Sequence, residues 1–259
     1  MKHITSRDNP AFKQLSRLAT HAGRRGAQAI LEGVHLCQAW LRHVGAPSMA
    51  VFDAERLQYP ELAALLAALP PNLVLLADAR LLRQLETVET GQGVLFVVDP
   101  PAPALPVRLA EPMVWLDRVQ DPGNVGTILR SCAAAGIERV LLSAGCAAAW
   151  SPKVLRAGQG AHFALALHEH VDLSDCTERL EIPLAATTLD NAVSLYEAAL
   201  PTACAWVFGN EGQGVSSALQ QAAALRVRID HEPAVESLNV AVAAALCLFE
   251  QRRQHRTGG

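Results

Sequence analysis

The stretch Glu236-Ser237-Leu238-Asn239-Val240-Ala241-Val242-Ala243-Ala244-Ala245 sets a polar turn directly before a run of small apolar residues. The apolar run continues as a helical pattern to Arg253, and Ser237 has a side chain suited to capping the start of that helix. Small residues at close spacing also suit tight packing against another helix or a second copy of the chain. The sequence therefore predicts a buried C-terminal helix that begins at a polar loop.

A second polar loop follows the apolar run Val114-Trp115-Leu116. It reads Asp121-Pro122-Gly123-Asn124, and the helical pattern behind it stops at Gly136. Because ligands bind outside the carboxyl ends of strands in open α/β sheets, this loop and Arg130 on the helix form a candidate site. In the alternative interpretation, Asn124 only caps the helix and Arg130 is a solvated surface charge.

A third loop, Phe208-Gly209-Asn210-Glu211-Gly212-Gln213-Gly214-Val215-Ser216, has three glycines in six residues. Glycines allow a close approach of the backbone to a ligand, although a plain strand-to-helix turn uses them too. The glycines do not match the order of a dinucleotide fingerprint, and the Gly-Lys-Ser/Thr ending of a phosphate loop is missing. Gly91-Gln92-Gly93 also lacks the third glycine. A nucleotide-dependent oxidoreductase is therefore disfavoured.

The domain boundary is predicted at a proline-rich stretch. Val94-Leu95-Phe96-Val97-Val98 is typical of a buried strand, and four prolines fall within the next eight residues, which can continue neither a helix nor a central strand. We expect an N-terminal domain over residues 1–99, a linker over 100–109 and a C-terminal domain over 110–259.

Strands alternating with helices predict an α/β fold for both domains, with a mostly parallel sheet in the second. In the first domain, helices are expected at 9–18, 29–44 and 61–69, with 29–31 as an alternative strand, and strands at 50–52 and 73–76. In the second domain, strands are expected at 114–116, 140–142, 184–187, 205–208 and 225–229, and helices at 126–135, 151–159, 194–198, 216–223 and 238–253.

Composition excludes several classes of protein. The six cysteines form no Cys-x-x-Cys pair and no metal-ligand spacing, so neither a disulfide framework nor a metal site is expected. No apolar run is long enough to span a bilayer, and a cytoplasmic location fits best. The net charge is −3, yet residues 1–50 carry seven Lys or Arg against two acidic residues. Such a basic segment suits phosphate contact, although it is also common on solvated surfaces.

Taken together, the three loops resemble the sequence motifs of the SpoU (TrmH) family of RNA ribose 2′-O-methyltransferases. The resemblance runs from about Val114 to Phe249. Ile4-Thr5-Ser6-Arg7-Asp8-Asn9-Pro10 and Leu31-Glu32-Gly33-Val34-His35 resemble the small substrate-binding domain of many members. The resemblance implies a SPOUT-type α/β domain with a deep trefoil knot that binds S-adenosylmethionine, and a homodimer that completes the active site. Since knots are nearly absent from proteins, the knot rests on the resemblance alone.

The resemblance also assigns residues to roles. The implied catalytic residues are Asn124, Arg130, Glu211, Ser237 and Asn239. The implied cofactor-binding residues are Thr187, Gly209, Ile229 and Leu238. The basic N-terminal domain is expected to bind RNA, ribosomal rather than transfer RNA, through residues such as Arg7, Arg24 and Arg25. Because guanidinium stays protonated, we expect Arg130 to organise the nucleophile or an adjacent phosphate, and to act as base only in a strongly perturbing site.

One segment departs from the family pattern. Members commonly have Ile-Pro-Met and a glycine before the third motif, whereas this chain has Ile229-Asp230-His231-Glu232-Pro233. The change motivates an alternative in which the chain is a non-catalytic RNA-binding or ribosome-assembly protein that retains the fold. The complete set of implied catalytic residues favours an active enzyme.

Overall fold

The computed structural model describes residues 1–21, 28–85 and 91–255. The chain forms two compact units. Unit 1 comprises Met1–Pro100 together with Trp150–Phe163, and unit 2 comprises Pro101–Ala149 together with Ala164–Gly259. The place of residues 150–163 in unit 1 was not predicted from the sequence. The boundaries expected at residues 99 and 110 stay a prediction.

Unit 1 contains a mixed five-stranded sheet. Its elements are β1 (Lys2–Ile4), α1 (Pro10–His21), β2 (Ala29–Glu32), α2 (Val34–His43), β3 (Met49–Asp53), α3 (Pro60–Ala67), β4 (Val74–Ala77), α4 (Ala79–Leu82) and β5 (Val94–Val98). The strand order is β1-β4-β3-β5-β2. The strand β5 runs antiparallel to β2 and β3, whereas β4 runs parallel to β1 and β3. All five residues of β5 are buried, as the apolar run predicts.

The segment expected as one helix over 29–44 is a strand followed by a helix, which is the alternative that the sequence left open. Gly33 separates β2 from α2 and has a φ of 94°, a left-handed conformation that favours glycine. The N–H of Val34 donates to Oε1 of Gln92 at 2.7 Å. The sequence analysis missed β1 and α4, which are too short to show a periodicity of their own.

Unit 2 contains a seven-stranded sheet. In chain order the elements are β6 (Met113–Asp117), α5 (Pro122–Ala135), β7 (Arg139–Ser143), α6 (Pro152–Gly158, in unit 1), β8 (Ala166–Val171), α7 (Leu173–Thr177), β9 (Leu184–Thr187), β10 (Val193–Ser194), β11 (Ala205–Gly209), α8 (Ser217–Ala222), β12 (Leu225–Arg228) and α9 (Val240–His255). The strand order is β10-β12-β9-β11-β6-β7-β8. Every neighbouring pair is parallel, which confirms the predicted parallel sheet.

The helix predicted over 194–198 is wrong. Val193 and Ser194 instead form β10, and the N–H of Leu195 donates to the carbonyl of Arg228 at 2.8 Å. Pairing with β12 therefore overrides the weak local helical pattern. The strand β8 was missed because its sequence mixes apolar residues with two histidines and a glutamate.

The C-terminal helix α9 packs against α5 and β11. Its buried Gln251 accepts a 2.8 Å hydrogen bond from Nε1 of Trp206 on β11 and donates to the carbonyl of Pro201. Arg252 donates to the carbonyl of Ala134 at the end of α5. These contacts hold the end of α9 near the amino edge of the sheet, so the start of the helix lies toward the carboxyl edge. None of the helices in the described part of the chain is long and apolar enough to cross a membrane.

Candidate active site

The loop after β6 leads into α5 at the carboxyl edge of the unit 2 sheet. Asp121 is the N-cap of α5, because its Oδ1 accepts a 2.8 Å hydrogen bond from the N–H of Asn124. Pro122 occupies the first helical position, where its missing N–H costs nothing. The interpretation of Asn124 as the cap is therefore wrong, and its side chain is left to project from the first turn.

Glu211, in the loop after β11, holds this turn in place. Its carboxylate accepts hydrogen bonds from Nδ2 of Asn124 at 3.0 Å and from the N–H groups of Asp121 and Gln120 at 3.1 and 3.2 Å. Burial raises the pKa of Glu211, but these hydrogen bonds to the charged form outweigh burial and hold the pKa below its ordinary value. Glu211 is therefore an ionised acceptor that ties the second loop to the first.

Asn239 begins α9 and connects the third loop to the other two. Its Oδ1 accepts from the N–H groups of Ala241 and Val242 at 2.9 and 3.3 Å, so Asn239 is the N-cap and the cap expected at Ser237 is wrong. The Nδ2 of Asn239 donates to Oδ1 of Asn124 at 2.8 Å. A carboxylate only accepts, which fixes Nδ2 of Asn124 toward Glu211 and Oδ1 toward Asn239.

The three loops thus meet in one chain of hydrogen bonds from Asn239 through Asn124 to Glu211. Arg130 lies on α5, six residues beyond Asn124, and is exposed. Within the described residues, its side chain makes no hydrogen bond or ion pair. The structure therefore brings three of the five expected catalytic side chains into contact and leaves the guanidinium of Arg130 open to solvent.

A cavity of about 430 Å³ opens beside this chain of hydrogen bonds, between the ends of β9, β11 and β12 and the start of α9. Its volume falls in the range of about 300–1,000 Å³ that is usual for small-molecule sites. The expected site residues that line the cavity are Thr187, Gly209, Glu211, Ile229, Ser237 and Leu238. All four expected cofactor-binding residues therefore share one cavity.

The second loop turns sharply at Gly209, which forms one wall of the cavity. A Cβ on Gly209 would lie 2.1 Å from the backbone carbon of Gly214 and the nitrogen of Val215. Asn210 closes the turn, because its backbone exchanges two hydrogen bonds with Gly214 and its Oδ1 accepts from the N–H of Gly212. Glycine at 209 is therefore required by close approach of the backbone, as the cluster of glycines indicates.

Asp117, the last residue of β6, and Arg118, which follows it, contact the same loop and were not predicted as site residues. Oδ2 of buried Asp117 accepts a 2.8 Å hydrogen bond from the N–H of Ser216. Arg118 donates from Nη1 to Oε1 of Gln213 at 2.9 Å. The signal was their position directly after a buried strand at the ligand-binding edge, although their partners lie more than 90 residues away in the chain.

The segment that departs from the family pattern also has defined contacts. Asp230 accepts hydrogen bonds from Oγ of Ser194 and from Nε of Arg228. The bond from Ser194, followed by that from Arg228, holds the pKa of Asp230 below its ordinary value. His231 lines the cavity, and its Nδ1 is 2.7 Å from the carbonyl of Ile229. Arg228, Ile229 and His231 therefore line the cavity, and Asp230 holds Arg228 without lining the cavity itself.

Of the residues expected to bind RNA, Arg7 is exposed in unit 1 beside Arg80 and Gln84. Arg24 and Arg25 lie outside the described residues. Within residues 1–21, 28–85 and 91–255, no group of three or more His, Cys, Asp or Glu side chains is arranged to hold a metal ion. All six cysteines are free, and five of them are buried.

Comparison with known proteins gives one family. Residues 111–249 match the model of the SpoU rRNA methylase family. An uncharacterized tRNA/rRNA methyltransferase from Synechocystis sp. is 35% identical, over 97% of this chain and 93% of the relative. The 23S rRNA (guanosine(2553)-2′-O)-methyltransferase RlmP from Bacillus subtilis is 32% identical, over 97% of this chain and 100% of the relative.

Solved structures have the same fold. The crystal structure of an rRNA methyltransferase from Sinorhizobium meliloti with bound S-adenosylmethionine superposes with a TM-score of 0.84. It is 26% identical, and the match covers 99% of each chain. The likeness therefore extends over both units and includes the edge of the sheet that carries the cavity.

Proposed function

Because the chain belongs to the SpoU rRNA methylase family, we propose that it transfers a methyl group from S-adenosylmethionine to a ribose 2′-hydroxyl of ribosomal RNA. The observation that carries the proposal is the hydrogen-bonded chain Asn239–Asn124–Glu211, which joins all three motifs beside the cavity. The Bacillus subtilis relative is named for 2′-O methylation of 23S rRNA, which supports both the position of the methyl group and the class of RNA.

The cavity suits the cofactor. We assign Thr187, Gly209, Ile229 and Leu238 to cofactor binding, since they line one cavity of adequate volume at the carboxyl edge of a parallel sheet. Gly209 leaves no Cβ between the β11 backbone and the loop, so backbone atoms form this part of the wall. When bound, S-adenosylmethionine supplies an electrophilic methyl group on a sulfonium.

The residues of the hydrogen-bonded chain act by positioning. Three donors already occupy the carboxylate of Glu211, so it is a poor candidate for the base that takes the proton of the 2′-hydroxyl. Asn124 and Asn239 are neutral amides and cannot accept that proton either. They hold the first turn of α5 and the start of α9 at fixed separation, which aligns the reacting groups. Ser237 lines the cavity beside them.

Arg130 is the residue that we place against the RNA. Its guanidinium is exposed, carries a permanent charge and is a fork of donors suited to a phosphate or to a developing alkoxide. We propose that the chain is a homodimer in which Arg130 of one subunit completes the site of the other. The exposed apolar side chains of Val242 and Phe249 support a protein contact on α9, the helix that packs against α5.

We propose that residues 1–99 form the RNA-binding domain, residues 100–109 a linker and residues 110–259 the catalytic domain. The basic side chains of the first 50 residues support this assignment, with Arg7, Arg24 and Arg25 as phosphate contacts. Ribosomal RNA is favoured over transfer RNA because of this additional domain. A cytoplasmic location remains part of the proposal.

We also propose the deep trefoil knot. The strands β9 and β10 flank β12 on its two sides, so residues 188–192 cross over the carboxyl end of β12. The N–H groups of Thr188 and Leu195 donate to the carbonyls of Val227 and Arg228 on the two sides of the crossing. Residues 188–192 thus connect the two sides of β12, and a chain that passes through such a connection on its way to α9 would form the knot.

The alternative is a non-catalytic RNA-binding or ribosome-assembly protein, which the changed segment at 230–233 motivates. Calorimetric titration with S-adenosylmethionine and S-adenosylhomocysteine is the first test, with Arg130→Ala beside the wild type. We expect saturable binding by both proteins. Failure of the folded wild type to bind either ligand would favour the non-catalytic protein.

The position of the methyl group needs a second measurement. Unmodified ribosomal RNA is incubated with tritiated S-adenosylmethionine and then hydrolysed in alkali. A 2′-O-methyl group removes the nucleophile of alkaline cleavage, so the label should appear in dinucleotides that resist hydrolysis. Label in mononucleotides would mean methylation of a base and would contradict the proposed 2′-O specificity.

A further inference from the structure

Arg118 has a backbone conformation that an arginine rarely adopts. It follows the last residue of β6 and has a φ of 58°, in the left-handed region that favours glycine. Observed strain of this kind, held by surrounding contacts, is a reason to look for a functional role. Two backbone contacts fix the conformation: the N–H of Arg118 donates to Oγ of Ser143, and its carbonyl accepts from Nδ2 of Asn210, each at 2.9 Å.

The side chain of Arg118 joins two parts of the site. Its Nε and Nη2 donate to the two carboxylate oxygens of Asp117 at 3.0 and 3.3 Å. Its Nη1 donates to Oε1 of Gln213 at 2.9 Å. The guanidinium therefore connects the end of β6 to the tip of the loop after β11. A lysine ammonium could not make these hydrogen bonds with the same geometry.

Asp117 adds a second connection to that loop. It is buried, and the oxygen that receives Nη2 of Arg118 also accepts the N–H of Ser216 at 2.8 Å. The loop over residues 210–216 is thus held at its start by Asn210, at its tip by Gln213 and at its end by Ser216. All three connections lead to Asp117 or Arg118.

The same loop forms a wall of the cavity. Residues 210–215 all line it, and Glu211 within the loop holds Asn124. We propose that Arg118 is a positioning residue that latches the loop over 210–216 to β6 and thereby presets the cavity for the cofactor. The proposal rests on the assignment of S-adenosylmethionine to this cavity. Arg118 itself is not placed against the reacting atoms.

The first test is Arg118→Gly. Glycine adopts a φ of 58° without strain, so the variant removes the latch while the backbone conformation is retained. We expect a lower melting temperature, because buried Asp117 loses its cationic partner. The Kd for S-adenosylmethionine should rise about tenfold, while kcat at saturating cofactor stays within about twofold of wild type. Arg118→Lys keeps the charge without the fork and should show an intermediate Kd.

A matched control separates the latch from the relief of strain. His170 also has a φ of 58° in unit 2, is exposed and lies on β8 at the far edge of the sheet. His170→Gly removes a side chain from the same backbone conformation and should leave the Kd for the cofactor unchanged. A rise in Kd equal to that of Arg118→Gly would overturn the proposal.

Gln213→Ala tests the other end of the latch. Gln213 is exposed, so its truncation does not threaten folding even if Arg118→Gly does. We expect a smaller rise in Kd than in Arg118→Gly, because Gln213→Ala breaks only one of the three hydrogen bonds that the guanidinium makes. The double variant should bind no more weakly than Arg118→Gly alone, since Arg118→Gly already removes the contact with Gln213. Wild-type affinity of Gln213→Ala, or additive losses in the double variant, would overturn the latch.

The outcomes also separate this inference from the proposed function. If the wild type binds S-adenosylmethionine and the variants bind it equally well, only the proposed role of Arg118 is wrong. If the wild type does not bind S-adenosylmethionine, the proposed cofactor is wrong, and the proposed role of Arg118 is wrong with it.

Discussion

Asn239 donates from Nδ2 to Oδ1 of Asn124 at 2.8 Å, although the two residues are 115 positions apart in the chain. The contact joins the start of α9 to the first turn of α5. Asn239 has a second task, since its Oδ1 caps α9. A single side chain thus caps the start of α9 and positions the first turn of α5. Substitution can separate these two roles.

We expect Asn239→Ser to retain the cap and lose the contact with Asn124. Serine caps helices about as well as asparagine, so the free energy of unfolding in urea should change by less than about 0.5 kcal/mol. Serine has no amide donor, so methyl transfer to RNA should fall roughly 10- to 100-fold. Asn239→Ala is the comparison, because it also removes the cap and should cost about 1 kcal/mol. Wild-type methyl transfer by Asn239→Ser would contradict a positioning role.

Glu211→Gln should destabilise the protein in a pH-dependent way. The pKa of Glu211 is held below its ordinary value of 4.5 in the folded state, so its ionised form stabilises the fold at higher pH. That contribution is fully present above pH 4.5 and is lost as the pH falls through the depressed pKa. Thermal melts should therefore show a lower midpoint for the variant at pH 7, and a difference that narrows below about pH 4.5.

Exposed Glu232 supplies the control for this pH series, since its side chain makes no hydrogen bond among the described residues. The melting midpoint of Glu232→Gln should equal that of the wild type at every pH. The difference in melting midpoint between Glu211→Gln and the wild type could instead stay constant into the acid range. That result would mean that the three donors do not stabilise the carboxylate of Glu211.

Local patterns predicted the places where the site forms, but not the contacts within it. Each of the three loops follows a strand, and a parallel sheet brings the ends of β6, β11 and β12 to one edge. The predicted cap of α9 was wrong because Ser237 and Asn239 are both good caps. The hydrogen bond to Asn124 decides between them. Such a choice depends on a residue more than 100 positions away.

The same limit applies to Arg118 and to β10. From the sequence alone, an arginine after a strand looks like a solvated charge, because its partner Gln213 lies 95 residues later in the chain. The two residues of β10 are too few for a periodic pattern, and their strand conformation comes from pairing with β12. Long-range pairing therefore determines what the local sequence leaves open.

Gly209→Ala should be strongly destabilising. The new Cβ would lie 2.1 Å from backbone atoms of residues 214 and 215, which cannot swing away as a side chain can. We expect a loss of about 3 kcal/mol or more in the free energy of unfolding, measured in urea, together with loss of cofactor binding. In Gly212→Ala the added Cβ meets only Oδ1 of Asn210 at 3.7 Å, so this control should stay within about 0.5 kcal/mol of wild type. Equal stability of the two variants would contradict the tight turn.

Arg130→Ala should separate catalysis from folding and from cofactor binding. The side chain is exposed and makes no hydrogen bond or ion pair in the described part of the chain, so the free energy of unfolding should change by less than about 0.5 kcal/mol. The Kd for S-adenosylmethionine should stay within about twofold, while methyl transfer falls about 100-fold or more. Arg130→Lys keeps the charge but not the fork of donors and should recover only part of the activity.

A heterodimer of Arg130→Ala with Asn239→Ser tests whether the site is shared between subunits. If Arg130 acts on the site of the other subunit, one of the two sites combines an intact Arg130 with an intact Asn239. The other site lacks both. Heterodimers purified through two different tags should then recover about half of the wild-type rate. If each site uses its own Arg130, both sites carry a defect, and the heterodimer should be no more active than the two variant homodimers.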